Sequence, residues 1–135
     1  DFTVASGLDR FLCEQSLRNL QLRHTHFFTM SGHDRKRYSK YLIEVSSSVL
    51  TDVSEVARLN GAQLPQNFKD RISILEANLN FNCNALSELL LLKENSKTLT
   101  EAEVLEFQGK ISQVLGNAIF WIEKNWELPL PRGTV

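Results

Sequence analysis

The side chains best able to hold a metal or act as nucleophiles are three histidines and two cysteines. His24, His26 and His33 surround one predicted turn, but zinc takes four ligands and usually some cysteine, and neither cysteine is nearby in sequence. Cys13 and Cys83 fall on two parallel predicted helices at depths that differ by roughly 12 Å, too far for a disulfide. We therefore expect solvated histidines, two reduced core cysteines, no metal and no cofactor.

The chain carries no recognisable catalytic motif. It has no glycine-rich phosphate loop, nucleophile elbow or Cys-His motif, and none of the Glu-x-x-His pairs of di-iron bundles. The formal net charge is -1, so no overall field attracts nucleic acid. A basic stretch from Arg18 to Lys40 faces an acidic one from Glu94 to Glu106, and no aromatic residues interleave with the basic ones. The sequence predicts neither an enzyme nor a nucleic-acid-binding protein.

One short segment of the first helix could recognise an anion. It runs Ser16-Leu17-Arg18-Asn19-Leu20-Gln21-Leu22-Arg23. An arginine side chain offers a planar fork of donors, so two guanidinium groups that converge on one oxyanion form a sound recognition site. The competing interpretation is that both arginines are ordinary solvent-facing helix residues.

This segment resembles the Ser-Leu-Arg-x-x-x-x-Arg pattern in the first periplasmic helix of bacterial nitrate-sensor kinases and related receptors. The likeness covers residues 16–23 of the 135, and the preceding Cys13-Glu14-Gln15 departs from the family's run of small residues. In that family a four-helix bundle between two membrane helices dimerises through its first helix and binds a small anion at the dimer axis. The resemblance implies the ligand-sensing domain of a transmembrane signalling receptor. Its candidate ligand contacts are Arg18, Arg23, Ser16 and Asn19.

The same resemblance implies a homodimer in the periplasm or another extracytoplasmic space, with Arg18 paired with its symmetry mate. Any membrane attachment would come from flanking segments outside this chain, and the start at Asp1 rather than Met favours a processed protein or an excised domain. Two other functions remain open. One is a cytoplasmic helical interaction module without a small ligand. The other is a ribonuclease, because Arg18 and His24 fit the loose Arg-to-His spacing of HEPN-type ribonucleases.

Polar residues gather midway along the predicted helices. Asn82 falls where the apolar stripe of the third helix should continue. A buried amide costs free energy unless it is paired, so a polar layer would have a purpose: a small pocket, or a fixed helix register. The candidate layer consists of Asn82, Ser48 and Ser112. The competing interpretation is that most of these residues face water.

Apolar residues recur at three- and four-residue steps, which is typical of helices that bury one face. Ser31 or Asp34 is expected to cap the start of the second helix, and Gly61 after Asn60 is its expected left-handed terminator. The third helix is predicted to begin near Pro65 or Gln66 and to continue unbroken past Leu86. The fourth runs from a capping box at Thr100 to Trp126. The first, ending near Met30, has the least regular pattern.

Four helices of roughly 24 to 28 residues, joined by short turns, predict an all-α, antiparallel up-down-up-down four-helix bundle. Residues 1–135 are expected to form this single domain, and its 42% hydrophobic and 23% charged residues are ordinary for a soluble globular protein. Gly109 and Gly116, seven residues apart, are expected to allow a neighbouring helix to approach closely.

Overall fold

The computed structural model describes residues 2–31, 35–95 and 99–126, and these form five α-helices and no strand. The all-α class is therefore confirmed. Two features of the sequence analysis, His33 and the segment after Trp126, lie outside the described residues. The side chain of Glu94, in the acidic stretch, also lies outside them. The helices are α1 (Phe2–Ser31), α2 (Arg35–Leu59), α3 (Phe68–Leu79), α4 (Asn84–Asn95) and α5 (Glu101–Asn125).

The expected third helix is two helices, because a turn separates α3 from α4. Asn80 adopts a left-handed conformation with φ 61° and ψ 39°, and its amide donates to the Glu76 carbonyl at 2.9 Å. Asparagine enters this conformation more readily than most residues. The Asn82 side chain then accepts from the Asn84 amide at 2.7 Å, and the Glu76 carboxylate accepts from the Cys83 amide at 2.9 Å. Local side-chain hydrogen bonds thus replace the helix, and the predicted four equal helices are not found.

Helix caps fix the ends of the other elements. Thr100 and Glu103 form the predicted capping box: the Thr100 hydroxyl accepts from the Glu103 amide at 3.2 Å, and the Glu103 carboxylate accepts from the Thr100 amide at 2.8 Å. Gly61 follows α2 with a φ of 91°, the left-handed terminator expected there. α3 begins later than predicted because Asn67 caps it, accepting from the amides of residues 69 and 70.

α1 packs against both α2 and α5, while α2 also contacts α3 and α4. Cys13, early in α1, contacts Asp52 near the end of α2. His24, late in α1, contacts Tyr41 near the start of α2 and Gln108 near the start of α5. α1 therefore runs antiparallel to both α2 and α5, which run in the same direction.

One apolar core joins these helices. Apolar residues at helical spacing along α5, and Trp126 just after it, are buried: Val104, Phe107, Ile111, Val114, Leu115, Ala118, Ile119, Ile122 and Trp126. Cys13 and Cys83 are both buried and free, as expected. Around Gly109 and Gly116, no atom of another described element lies within 4 Å of the position that a Cβ would take, so these glycines do not serve close packing against the described helices. No helix in the described ranges combines the length and apolarity that crossing a membrane requires.

Candidate functional site

α1 presents two faces of nearly opposite direction. Its inner face is buried and consists of Cys13, Leu17, Leu20 and His24. A second set of residues, also spaced by alternating steps of four and three, is exposed on the other side. We call this set the outer stripe; its members are Leu8, Leu12, Gln15, Asn19, Leu22 and His26. Apolar residues on both faces explain why the sequence pattern of α1 is the least amphipathic.

Three leucines of the outer stripe are strongly exposed. Leu8 is 56% exposed, Leu12 is 55% exposed and Leu22 is 70% exposed. Single exposed leucines are ordinary on protein surfaces. A repeat of steps of four and three on one helix is the pattern by which coiled coils bury a/d positions against a partner. The outer stripe is therefore a surface suited to another helix.

Arg18, the predicted anion contact, ties α1 to α5. Its Nε lies 2.8 Å from Oε2 of Glu14, and its Nη2 lies 2.8 Å from Oε2 of Glu123. The Glu14 side chain is only 3% exposed, so this guanidinium compensates a buried carboxylate. The hydrogen bonds with Glu123 and Glu14 raise the pKa of Arg18. In this arrangement Arg18 is already paired and is not an open anion contact.

The four predicted ligand contacts do not converge. Ser16 donates to Oδ2 of Asp52 at 2.6 Å, on the side of α1 that faces α2. Arg18 turns to α5 and Asn19 lies on the outer stripe. Arg23 is exposed and borders the space between α1 and α2. Only Ser16 and Arg23 therefore share a surface within one protomer.

That surface is a groove between α1 and α2. Its larger part is a cavity of about 450 Å³, and an adjoining cavity of about 240 Å³ shares Leu20, Arg23 and Ser48 with it. We call the two together the α1–α2 groove. The larger part is lined by Leu20, Arg23, His26, Tyr41, Glu44, Val45 and Ser48. The smaller part adds Asp52, whose pKa is raised by burial against the opposing effects of the Ser16 hydrogen bond and Arg23.

A buried histidine, expected from the sequence to be solvated, contacts Tyr41 of the groove lining. His24 is 1% exposed; its Nε2 lies 3.2 Å from the Gln108 carbonyl and its Nδ1 lies 3.2 Å from the Tyr41 hydroxyl. Since a carbonyl only accepts, the neutral ring carries its proton on Nε2 and accepts from Tyr41. The Tyr41 ring stacks on it at 5.8 Å. The sequence signal that places His24 on the inner face is its spacing of three and four residues with Leu17 and Leu20.

Burial shifts the titration of this cluster. Desolvation lowers the pKa of His24, although the Gln108 carbonyl opposes this, and it raises the pKa of Tyr41 to about 12. His24 is therefore a structural residue whose two ring nitrogens are both engaged. A ribonuclease site needs an accessible acid or base, and His24, the candidate for that role, is buried. Arg18, the other residue of the ribonuclease spacing, is paired with Glu14 and Glu123.

The predicted polar layer is not assembled. Ser48 is exposed at the edge of the α1–α2 groove, and Asn82 is exposed in the turn before α4. Ser112 is half-buried and its hydroxyl accepts from the Gln108 amide at 3.3 Å. Ser46, also central in α2, is buried but donates to the Ile43 carbonyl at 2.6 Å. Each of these polar groups is therefore hydrogen-bonded within its own helix or turn, or is exposed to water.

Within the described ranges, no group of three or more His, Cys, Asp or Glu side chains is placed to hold a metal ion. Comparisons of the chain with protein-family models, with curated proteins and with solved structures gave no significant match. The two surfaces of α1, the outer stripe and the α1–α2 groove, are thus the features from which a function can be derived.

Proposed function

We propose that this chain is a self-associating helical interaction domain, in which two copies pair through the outer stripe of α1. The supporting observation is the exposure of Leu8, Leu12 and Leu22 on a single heptad-spaced stripe. Fully burying one leucine contributes about 1.5–3 kcal/mol. Gln15 and Asn19, at the centre of the stripe, carry both donors and acceptors, so these amides can pair across the interface.

The charges beside the stripe favour an antiparallel pair. In that register Leu12 faces the partner's Leu22, and Gln15 faces the partner's Asn19. Asp9 then lies beside the partner's Arg23, which gives an attraction at each end of the interface. In a parallel pair, Arg23 would lie beside the partner's Arg18 instead of Asp9 and would lose this attraction. Arg18 meets an arginine of the partner in either register, and its own partners Glu14 and Glu123 offset that charge.

The antiparallel axis passes close to Arg18, so the two Arg18 side chains flank it. A small anion at this axis, as the receptor resemblance implies, would have to draw Arg18 away from Glu14 and Glu123. The observed pairing of Arg18 instead favours the alternative function, an interaction module that needs no small ligand. The test between them is the dimer dissociation constant in nitrate and in chloride at equal ionic strength: tightening by nitrate supports the anion site, and equality supports the module.

Sedimentation equilibrium across a wide concentration range tests the pairing itself. We expect a reversible monomer–dimer equilibrium for the natural chain and a monomer for Leu22→Glu. The matched control is Leu105→Glu, which changes a leucine on α5 that is 60% exposed and should leave the equilibrium unchanged. A natural chain that stays monomeric throughout, or equal loss of dimer in both variants, would refute the proposal. Circular dichroism confirms that each variant is folded.

A further inference from the structure

The α1–α2 groove has an apolar floor between opposite charges. Leu20 and Val45 are 4% and 6% exposed, and form the floor. Arg23 projects from α1, and Glu44 projects from α2 one residue before Val45. Both charged side chains are exposed, so their charges lie at the rim of the cavity and not at its floor. A cavity of about 450 Å³ lies within the ~300–1,000 Å³ typical of small-molecule sites.

We propose that the α1–α2 groove binds a small zwitterion with an apolar body, of the class of apolar α-amino acids. Arg23 takes the carboxylate, Glu44 takes the ammonium group, and the side chain of the ligand lies on Leu20 and Val45. The Ser48 hydroxyl, at the junction of the two cavities, is a further hydrogen-bonding group for the polar end.

The charge balance of the groove selects a zwitterion over a simple anion. Among the described residues that line the groove, the titratable side chains besides Tyr41 are Arg23 and His26 on α1, and the carboxylates of Glu44 and Asp52 on α2. An inorganic anion beside Arg23 would also meet the field of these two acidic side chains. A ligand with a positive and a negative group separated by a short distance satisfies both sides. Its apolar body also covers the floor, which a hydrated inorganic ion would leave exposed to water.

The position of the groove links such a ligand to self-association. The groove lies within one protomer, so binding does not depend on a dimer. Arg23 also flanks the outer stripe, where it would meet the partner's Asp9 in the proposed dimer. The ligand carboxylate and that aspartate therefore compete for one guanidinium, and the ligand should weaken the dimer.

Isothermal titration calorimetry with three probes tests the ligand class. The probes are L-leucine, isocaproate, which lacks the amine, and isoamylamine, which lacks the carboxylate. We expect the natural chain and Leu22→Glu both to bind L-leucine more tightly than either analogue. Binding by Leu22→Glu separates this result from self-association: a chain that fails to dimerise can still bind leucine, and a dimer can still fail to bind it.

Two variants assign the contacts. Arg23→Gln should weaken L-leucine binding by about tenfold and leave isoamylamine unaffected. Glu44→Gln should weaken L-leucine but not isocaproate. Arg58→Gln, on the same helix as Glu44 and paired with Glu55, is the control and should bind as the natural chain does. Absence of leucine binding at millimolar concentration, equal affinity for leucine and isocaproate, or an unchanged Arg23→Gln affinity would overturn the proposal.

Discussion

Acidification is expected to destabilise the fold through His24. The ring is held neutral in the core, where Nε2 donates to Gln108 and Nδ1 accepts from Tyr41. Protonation would place a cation among apolar neighbours and remove the lone pair that accepts from Tyr41. Burial lowers the pKa of His24 in the folded state below the ordinary value of 6.5. The unfolded chain therefore binds the proton more readily, and stability is lost as the pH falls below about 6.5.

The magnitude follows from one proton. Each pH unit between the folded-state pKa and the ordinary value costs at most about 1.4 kcal/mol of unfolding free energy. Arg23 is a charged group close to His24 and Tyr41, and its positive charge opposes the rise in the pKa of Tyr41. Urea unfolding, followed by circular dichroism between pH about 7.5 and about 5, measures the slope. His24→Phe keeps a ring of similar size but cannot titrate, so its slope should be shallower than that of the natural chain.

His24→Phe also leaves the Gln108 carbonyl without its donor, so it should be less stable by about 1–3 kcal/mol at neutral pH. That loss does not depend on pH and leaves the comparison of slopes intact. The reasoning is refuted if His24→Phe loses stability on acidification as steeply as the natural chain does.

Three further predictions concern the frame around these surfaces. Arg18→Ala should lower the unfolding free energy by about 1–2 kcal/mol, because the Glu14 carboxylate that it pairs with is buried while Arg18 itself is 37% exposed. The control Arg58→Ala should change the unfolding free energy by less than about 1 kcal/mol, because its pair with Glu55 is exposed. Equal losses in the two variants would contradict the role of Arg18 in compensating Glu14. Asn80→Val should cost about 1–2 kcal/mol by the same measurement, whereas Asn80→Gly should be tolerated, because the left-handed backbone excludes a branched side chain. Burial raises the pKa of the Cys13 and Cys83 thiols to about 12. Both thiols should therefore react with a thiol reagent at pH about 8 much more slowly in the folded protein than in urea. Fast labelling of the folded chain would contradict this prediction.

The helix ends that were predicted correctly are those marked by a capping or terminating residue. The capping box at Thr100 and the terminator at Gly61 depend on neighbouring residues alone, so the sequence shows them directly. The break after Leu79 was missed because Leu79 and Leu86, seven residues apart, continue an apolar stripe across the turn. Asn82 was interpreted as part of a polar layer, although asparagine also favours left-handed backbone, as at Asn80, and side-chain turns.

The candidate site was less predictable because its contacts join distant parts of the chain. Arg18 meets Glu123, a residue 105 positions later, and no local pattern reports that pair. The two faces of α1 cancel in a measure of amphipathicity, so the outer stripe was hidden by the inner one. His24 could have been placed in the core from its spacing with Leu17 and Leu20, since those three residues share one helical face.

Disulfide trapping between single-cysteine additions tests most directly whether α1 mediates an antiparallel dimer. Leu12→Cys and Leu22→Cys are prepared as separate chains, each retaining the buried Cys13 and Cys83. In the antiparallel pair Leu12 faces the partner's Leu22, so we predict cross-linked dimers when the two variants are mixed and little cross-linking of either alone. Efficient cross-linking of Leu12→Cys by itself, or none in the mixture, would contradict the account.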